Sequence, residues 1–160
     1  MIEGISHITF IVEDLEKTAR IFVDGLGGKE VYSSGDEMFS ISREKFFIVG
    51  GVWIAIMEGD PLPNQTYNHV AFKIEPNDVE AYHSKLKALD LKIRSPRPRV
   101  DGEGISIYFY DYDNHMFELH TGTLGDRLAR YAKGIEHGLP GPSVPKRSVN
   151  PYQVCPSTPD

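Results

Sequence analysis

Two histidines and one glutamate have the types and surroundings for joint chemistry: His7, His69 and Glu118. Each lies in a short apolar stretch, within Ser6-His7-Ile8-Thr9, Asn68-His69-Val70 and Met116-Phe117-Glu118-Leu119. A carboxylate among apolar residues is costly unless it is paired, solvated or bound to a metal ion. Two imidazoles and one carboxylate form an N2O set that suits Mn, Fe, Ni or Zn and leaves coordination positions open for water or substrate. Taken singly, each residue has a plainer explanation. A strand histidine is more often a satisfied core or surface residue than a ligand, and Glu118 alone fits the wet face of a half-buried strand.

Internal repetition argues against the plainer explanations. Placing His69 over His7 is a shift of 62 residues, and it carries Phe10 onto Phe72, Val12 onto Ile74, Glu13 onto Glu75 and Ala19 onto Ala81 without a gap. The same shift lays Glu118 over Ile56, so the halves agree in apolar pattern and differ at that position. A repeat of this length suits two copies of one supersecondary unit rather than a solenoid. A histidine at the same place in both copies, facing away from Ile8/Phe10 and Val70/Phe72, is hard to attribute to packing.

The elements that must position these residues follow from periodicity. Residues 5–12 alternate as a strand, with Ile8, Phe10 and Val12 on one face and His7, Thr9 and Ile11 on the other. Asp14 can cap a helix whose Leu15, Ala19, Phe22 and Leu26 recur near the helical period, ending at Gly27-Gly28. Residues 29–33, 38–41, 46–49 and 52–58 read as strands. After Asp60-Pro61-Leu62-Pro63 the order restarts, with a strand over 67–74 and a helix presenting Val79, Tyr82, Leu86 and Leu89. Residues 108–120 form a hairpin about Asp113-Asn114, which tolerate tight-turn backbone angles. The fold class is therefore α+β, a βαβββ unit used twice, with modules at about residues 1–60 and 64–121. A further helix starts at the capping box Thr123-x-x-Asp126, has Leu124, Leu128, Tyr131 and Ile135 on an apolar side expected to dock on the sheet, and closes a domain over residues 1–136. Residues 137–160, with six of the eleven prolines, are expected to be a disordered tail; Cys155 lies there.

Composition narrows the partners. A chain of 160 residues suits one domain, and a single cysteine excludes an internal disulfide or a cysteine-based metal cluster. A formal charge of −6 argues against a nucleic-acid surface. No apolar run approaches the roughly 20 residues that span a bilayer. The N-terminal stretch lacks the pattern of a secretory signal, so a cytoplasmic protein with no membrane partner is expected.

With these residues in view, the chain resembles the vicinal-oxygen-chelate (glyoxalase/fosfomycin-resistance) superfamily over about residues 1–135. Gly4-Ile5-Ser6-His7-Ile8-Thr9, Ser40-Ile41-Ser42-Arg43-Glu44-Lys45-Phe46-Phe47, Tyr67-Asn68-His69, Arg97-Pro98-Arg99-Val100-Asp101-Gly102-Glu103-Gly104 and Tyr108-Phe109-Tyr110 are similar to FosX-type fosfomycin hydrolases. The resemblance implies the glyoxalase/bleomycin-resistance fold, paired βαβββ modules in a homodimer, and a Mn(II) site in which His7 of one chain completes a set made by His69 and Glu118 of the other. Another divalent first-row metal could take the same ligands. The metal would polarise the epoxide of fosfomycin, and Glu44, at the family's general-base position, would activate water. Read without the resemblance, Glu44 is a turn glutamate paired with Arg43 or Lys45.

The phosphonate needs donors. By similarity these are Arg127, Tyr108, Ser106 and Thr9, with Tyr67 and Trp53 as further pocket residues and Arg99 or Arg97 replacing a lysine of the thiol-using relatives. Independently, a cation at Arg127 in the first turn of a helix opposes the helix dipole and suggests a bound anion. Gly102-Glu103-Gly104 is similar to a potassium-binding loop, but its neighbours differ and no potassium site is expected. Two alternatives remain: a glutathione or other thiol transferase acting on fosfomycin, and a non-catalytic drug-sequestering protein.

Overall fold

In the computed structural model, which describes residues 1–96 and 104–136, the alternation of the first strand is realised directly. Strand β1 (His7–Val12) buries Phe10 and Val12 and exposes His7, Thr9 and Ile11. Asp14 then caps the next helix, its carboxylate accepting from the Lys17 N–H at 2.9 Å and so satisfying one donor that a helix start leaves open. Helix α1 (Leu15–Arg20) continues into a π-helical turn (Ile21–Gly25), and Leu15, Ala19, Phe22 and Leu26 are all buried. The chain leaves the helix through Gly27 at φ 71°, which places the Gly28 N–H 2.8 Å from the Phe22 carbonyl.

Three strands complete the first module: β2 (Lys29–Ser33), β3 (Glu44–Val49) and β4 (Val52–Glu58). The second repeats the plan with β5 (His69–Lys73), α2 (Val79–Ala88), β6 (Lys92–Ile93), β7 (Ser106–Tyr110) and β8 (Met116–His120). The sheets have matching orders, β1-β4-β3-β2 and β5-β8-β7-β6, with β1/β4 and β5/β8 parallel and the other pairs antiparallel. This is the βαβββ duplication expected from the repeat. Asn114, at φ 70°, turns the chain between β7 and β8, as the Asp-Asn pair predicts.

The modules form one unit, Met1–Pro98 with Ile105–Thr121, and one face of each sheet supplies its core. Phe22 stacks on Phe47 at 5.2 Å, and Phe117 packs on Phe109 at 5.5 Å and Phe10 at 5.0 Å. Using one face for the core leaves the opposite face of each sheet for chemistry. Helix α3 (Leu124–Glu136) belongs to a second unit. Its capping box forms, with Thr123 N–H donating to Asp126 Oδ2 and Asp126 N–H to Thr123 Oγ1, both at 3.1 Å. Among the described residues no helix is long and apolar enough to cross a membrane. The predicted tail, Cys155, Arg97 and Arg99 lie outside the described residues.

Two expectations are corrected. Residues 38–41 form no strand, and Met38, Phe39 and Ile41 are exposed. Strand β2 pairs directly with β3, and this segment connects the two as a loop that pairs with neither. The repeat also needs a gap. His7 pairs with Trp53 and His69 with Met116, so the last strands correspond by a shift of 63, not 62. Glu118 therefore matches Ala55 rather than Ile56. The physical reason is the two-residue period of a strand: a slip of one would put Glu118 on the core face that Ile56 occupies.

Candidate metal centre

In a strand, residues two apart share a face, and the pairing register extends that face across the sheet. In the second sheet His69 and Ala71 of β5, Met116, Glu118 and His120 of β8, and Ser106, Tyr108 and Tyr110 of β7 lie on the side away from the core. This places Glu118 against His69, with Oε2 3.0 Å from Nε2. The imidazole is oriented by its other nitrogen, Nδ1, which lies 2.7 Å from the Tyr67 carbonyl oxygen. A carbonyl can only accept, so Nδ1 carries a proton and donates it. In the neutral ring Nε2 then presents a lone pair to a carboxylate oxygen. Two electron-rich atoms at that distance require a cation between or upon them, either a second proton on the ring or a metal ion.

The chemistry of the donors fits a metal. Glu118 is buried, which raises its carboxyl pKa, but hydrogen bonds from Ser106 and Tyr108 and the nearby His120 and His69 outweigh burial and hold it below the usual range. It is therefore a carboxylate at neutral pH. His69 Nε2 and Glu118 Oε2, 3.0 Å apart, are the donors that would hold a divalent ion there. Tyr108 is the complementary case. Burial, with its hydrogen bonds to Tyr67 and Glu118, pushes its phenol well up, so it stays protonated as a donor.

The first sheet carries the rest of the predicted set on its corresponding face. His7 and Thr9 of β1, Trp53, Ala55 and Met57 of β4, and Glu44 and Phe46 of β3 lie there together. His7 packs its ring against Trp53 at 4.5 Å and has Nδ1 3.2 Å from Ser6 Oγ. Trp53 also meets Phe46 at 5.2 Å, and its buried Nε1 has no hydrogen-bond partner among the described residues.

Glu44 is buried, anchored through its backbone: its N–H donates to Ser34 Oγ at 3.0 Å and its carbonyl accepts from the Ser34 N–H at 3.0 Å. Among the described residues its carboxylate has no hydrogen-bond or ion-pair partner. The turn pairing with Arg43 or Lys45 is absent because neighbouring strand residues face oppositely. Arg43 binds Glu58, with Nε 2.9 Å from Oε2, and Lys45 reaches Glu16 at 2.9 Å and Glu30 at 3.3 Å.

Thus His69, Glu118, Ser106, Tyr108 and Tyr67 come together on one sheet, and His7, Thr9, Trp53 and Glu44 on the other. Among the described residues of a single chain no three metal-binding side chains converge. Arg127 lies in the first turn of α3, in the second unit, its N–H donating to the Thr123 carbonyl at 3.1 Å. One residue missing from the sequence reading is His120, whose Nδ1 lies 2.8 Å from Ser106 Oγ. The available signal was its position two residues beyond Glu118, which places it on the same face.

Known proteins are similar to this chain in sequence and fold. The fosfomycin resistance protein FosX of Mesorhizobium japonicum is 60% identical over 136 residues, 85% of this chain and 98% of that protein. A variant of FosX from Listeria monocytogenes, crystallised with Mn(II) and 1S,2S-dihydroxypropylphosphonic acid, superposes with a TM-score of 0.75 at 53% identity, covering 82% of this chain and 99% of that one. The same Listeria protein with Mn(II) and a sulfate ion gives 0.74 at 53% identity over the same shares. The family model for the Glyoxalase/Bleomycin resistance protein/Dioxygenase superfamily matches residues 4–119, which span both βαβββ modules and all three predicted metal ligands, and this chain belongs to that superfamily.

Proposed function

We propose that this chain is a Mn(II)-dependent hydrolase that opens the epoxide ring of fosfomycin and so confers resistance to it, working in the cytoplasm as a homodimer. The observation that carries this reading is the His69–Glu118 pair, a bare imidazole nitrogen facing a carboxylate oxygen at 3.0 Å, which calls for a cation. The dihydroxypropylphosphonate bound by the Listeria relative has the composition of fosfomycin plus one water, which favours hydrolysis over thiol transfer.

In this reading His7 of one chain completes the set begun by His69 and Glu118 of its partner. His7 and the His69–Glu118 pair lie on different sheets and each faces away from the core, as ligands shared between chains require. Bound Mn(II) supplies Lewis-acid polarisation of the epoxide carbon–oxygen bond. The Glu44 carboxylate takes a proton from water as the water oxygen attacks the epoxide carbon, and the opened ring oxygen is then protonated to the diol. An unpaired carboxylate in a largely dry setting suits that role, since neither Arg43 nor Lys45 competes for its lone pairs. Tyr108, held protonated, donates to the phosphonate with Thr9, while Tyr67 and Trp53 wall the pocket; the resemblance adds Arg127 and Arg99 as cations for the phosphonate.

Phosphorus NMR of fosfomycin with the protein and Mn(II) tests the reaction. The expected product is the diol phosphonate, formed only with metal and unchanged by added glutathione. A glutathione adduct instead would replace hydrolysis by thiol transfer, and unaltered fosfomycin bound tightly without metal would favour sequestration. Mixing His7→Ala and Glu118→Ala chains tests the shared site: each variant alone should be inactive, and the mixed dimer should regain activity at one intact site. Mixtures as inactive as the parents would refute exchange of ligands.

A further inference from the structure

On the second sheet three polar side chains form a compact triangle: His120 Nδ1 lies 2.8 Å from Ser106 Oγ and 3.5 Å from Glu118 Oε1, and Ser106 Oγ hydrogen-bonds Glu118 Oε1. The direction of this chain follows from donor counting. As a metal ligand Glu118 is a carboxylate and can only accept, so the single Ser106 hydroxyl proton points to Oε1. With its proton committed, Ser106 Oγ can only accept from His120. His120 therefore holds its proton on Nδ1, and the order is His120 Nδ1–H to Ser106 Oγ–H to Glu118 Oε1.

The two oxygens of Glu118 are thereby divided. Oε1 is occupied by this chain, and Oε2 alone faces His69 Nε2. We infer that His120 is a positioning residue for the metal site: through Ser106 it fixes the rotation of the Glu118 carboxylate, so that one oxygen only is offered to the ion. The inference rests on Glu118 being a metal ligand, as proposed above. It also reassigns Ser106, whose hydroxyl is committed to Glu118 rather than offered to the phosphonate. Loss of the hydrogen-bonded partners that orient a metal ligand typically lowers affinity by about 10–100-fold.

The rings and amides of natural side chains allow a discriminating test. The Asn amide nitrogen is attached to Cγ, as Nδ1 is in histidine, so His120→Asn can place an N–H toward Ser106. In His120→Gln the amide lies one bond further out, near the place of Nε2. Mn(II) affinity, read by the electron paramagnetic resonance signal of free Mn(II) during titration, should fall about 10–100-fold in His120→Gln and His120→Phe. It should return to near wild type in His120→Asn, and Ser106→Ala should match His120→Gln. Comparison of Asn with Gln keeps the test decisive even if His120→Phe does not fold. Equal affinities for His120→Asn and His120→Gln, whether both high or both low, would overturn the inference. Glu118→Ala separates this from the underlying reading: wild-type affinity in that variant would refute the metal site itself, whereas lost affinity there with unchanged affinity in His120→Gln would refute only the role of His120.

Discussion

Replacing Glu44 with Gln removes one proton-accepting group and almost nothing else. The side chain keeps its length, and the backbone bonds to Ser34 that anchor β3 at this point are untouched. No ion pair is lost, because Arg43 is engaged by Glu58 and Lys45 by Glu16 and Glu30. A buried carboxylate with no partner among the described residues gains little from its charge, so the neutral amide should leave the melting temperature unchanged or raise it. General-base catalysis contributes roughly 10²–10⁴-fold, so hydrolysis should slow by that factor. This is equivalent to about 3–5 kcal/mol of barrier. Since Glu44 is not one of the proposed ligands His7, His69 and Glu118, Mn(II) affinity should not change. Single-turnover hydrolysis followed by phosphorus NMR, with Mn(II) titration and thermal melting on the same sample, reads all three. Near wild-type hydrolysis would refute the general-base role, and a fall in melting temperature would show that the carboxylate has a structural partner.

Two further outcomes concern stability. Phe117, fully buried between Phe109 and Phe10, joins the two modules through their cores, and Phe117→Ala should cost about 3–5 kcal/mol in denaturant unfolding; a loss below about 1 kcal/mol would mean that the modules do not share this core. Asp113, buried in the β7–β8 turn, accepts from the Glu13 N–H at 2.9 Å, and burial raises its carboxyl pKa despite that bond. The folded chain thus binds this proton more tightly than the unfolded chain, so the contribution of Asp113 to stability is greatest below about pH 3.9 and is lost as pH rises through the raised folded value. Asp113→Asn retains an acceptor for Glu13 and does not titrate. Its melting temperature relative to wild type should therefore climb from acid to neutral pH, and a difference that stayed constant with pH would contradict the raised pKa.

Much of the architecture was legible because it rests on local rules. The alternation of His7 to Val12, the Asp14 cap, the Gly27-Gly28 stop and the Asp113-Asn114 turn each act within a few residues, and all appear where the pattern put them. Repetition of that pattern announced the two modules and drew His7, His69 and Glu118 out of an otherwise ordinary chain. Residues 38–41 failed because apolar content alone does not make a strand: the segment lies in the β2–β3 loop and pairs with no strand. The shift of 63 in the last strand, and with it the face on which Glu118 stands, was set by pairing register, which gapless sequence overlay does not contain. Side-chain alliances were likewise decided in three dimensions. Among the described residues Glu44 is left unpaired because strand geometry turns Arg43 and Lys45 to the other side, and His120 meets Glu118 together with a serine on the neighbouring strand. Sequence thus determined which residues could bind a metal and which elements carry them. Tertiary structure determined which oxygen of Glu118 is held, which nitrogen of His69 faces it, and that His7 stands on a separate sheet, because hydrogen-bond direction and strand pairing depend on groups brought together by folding.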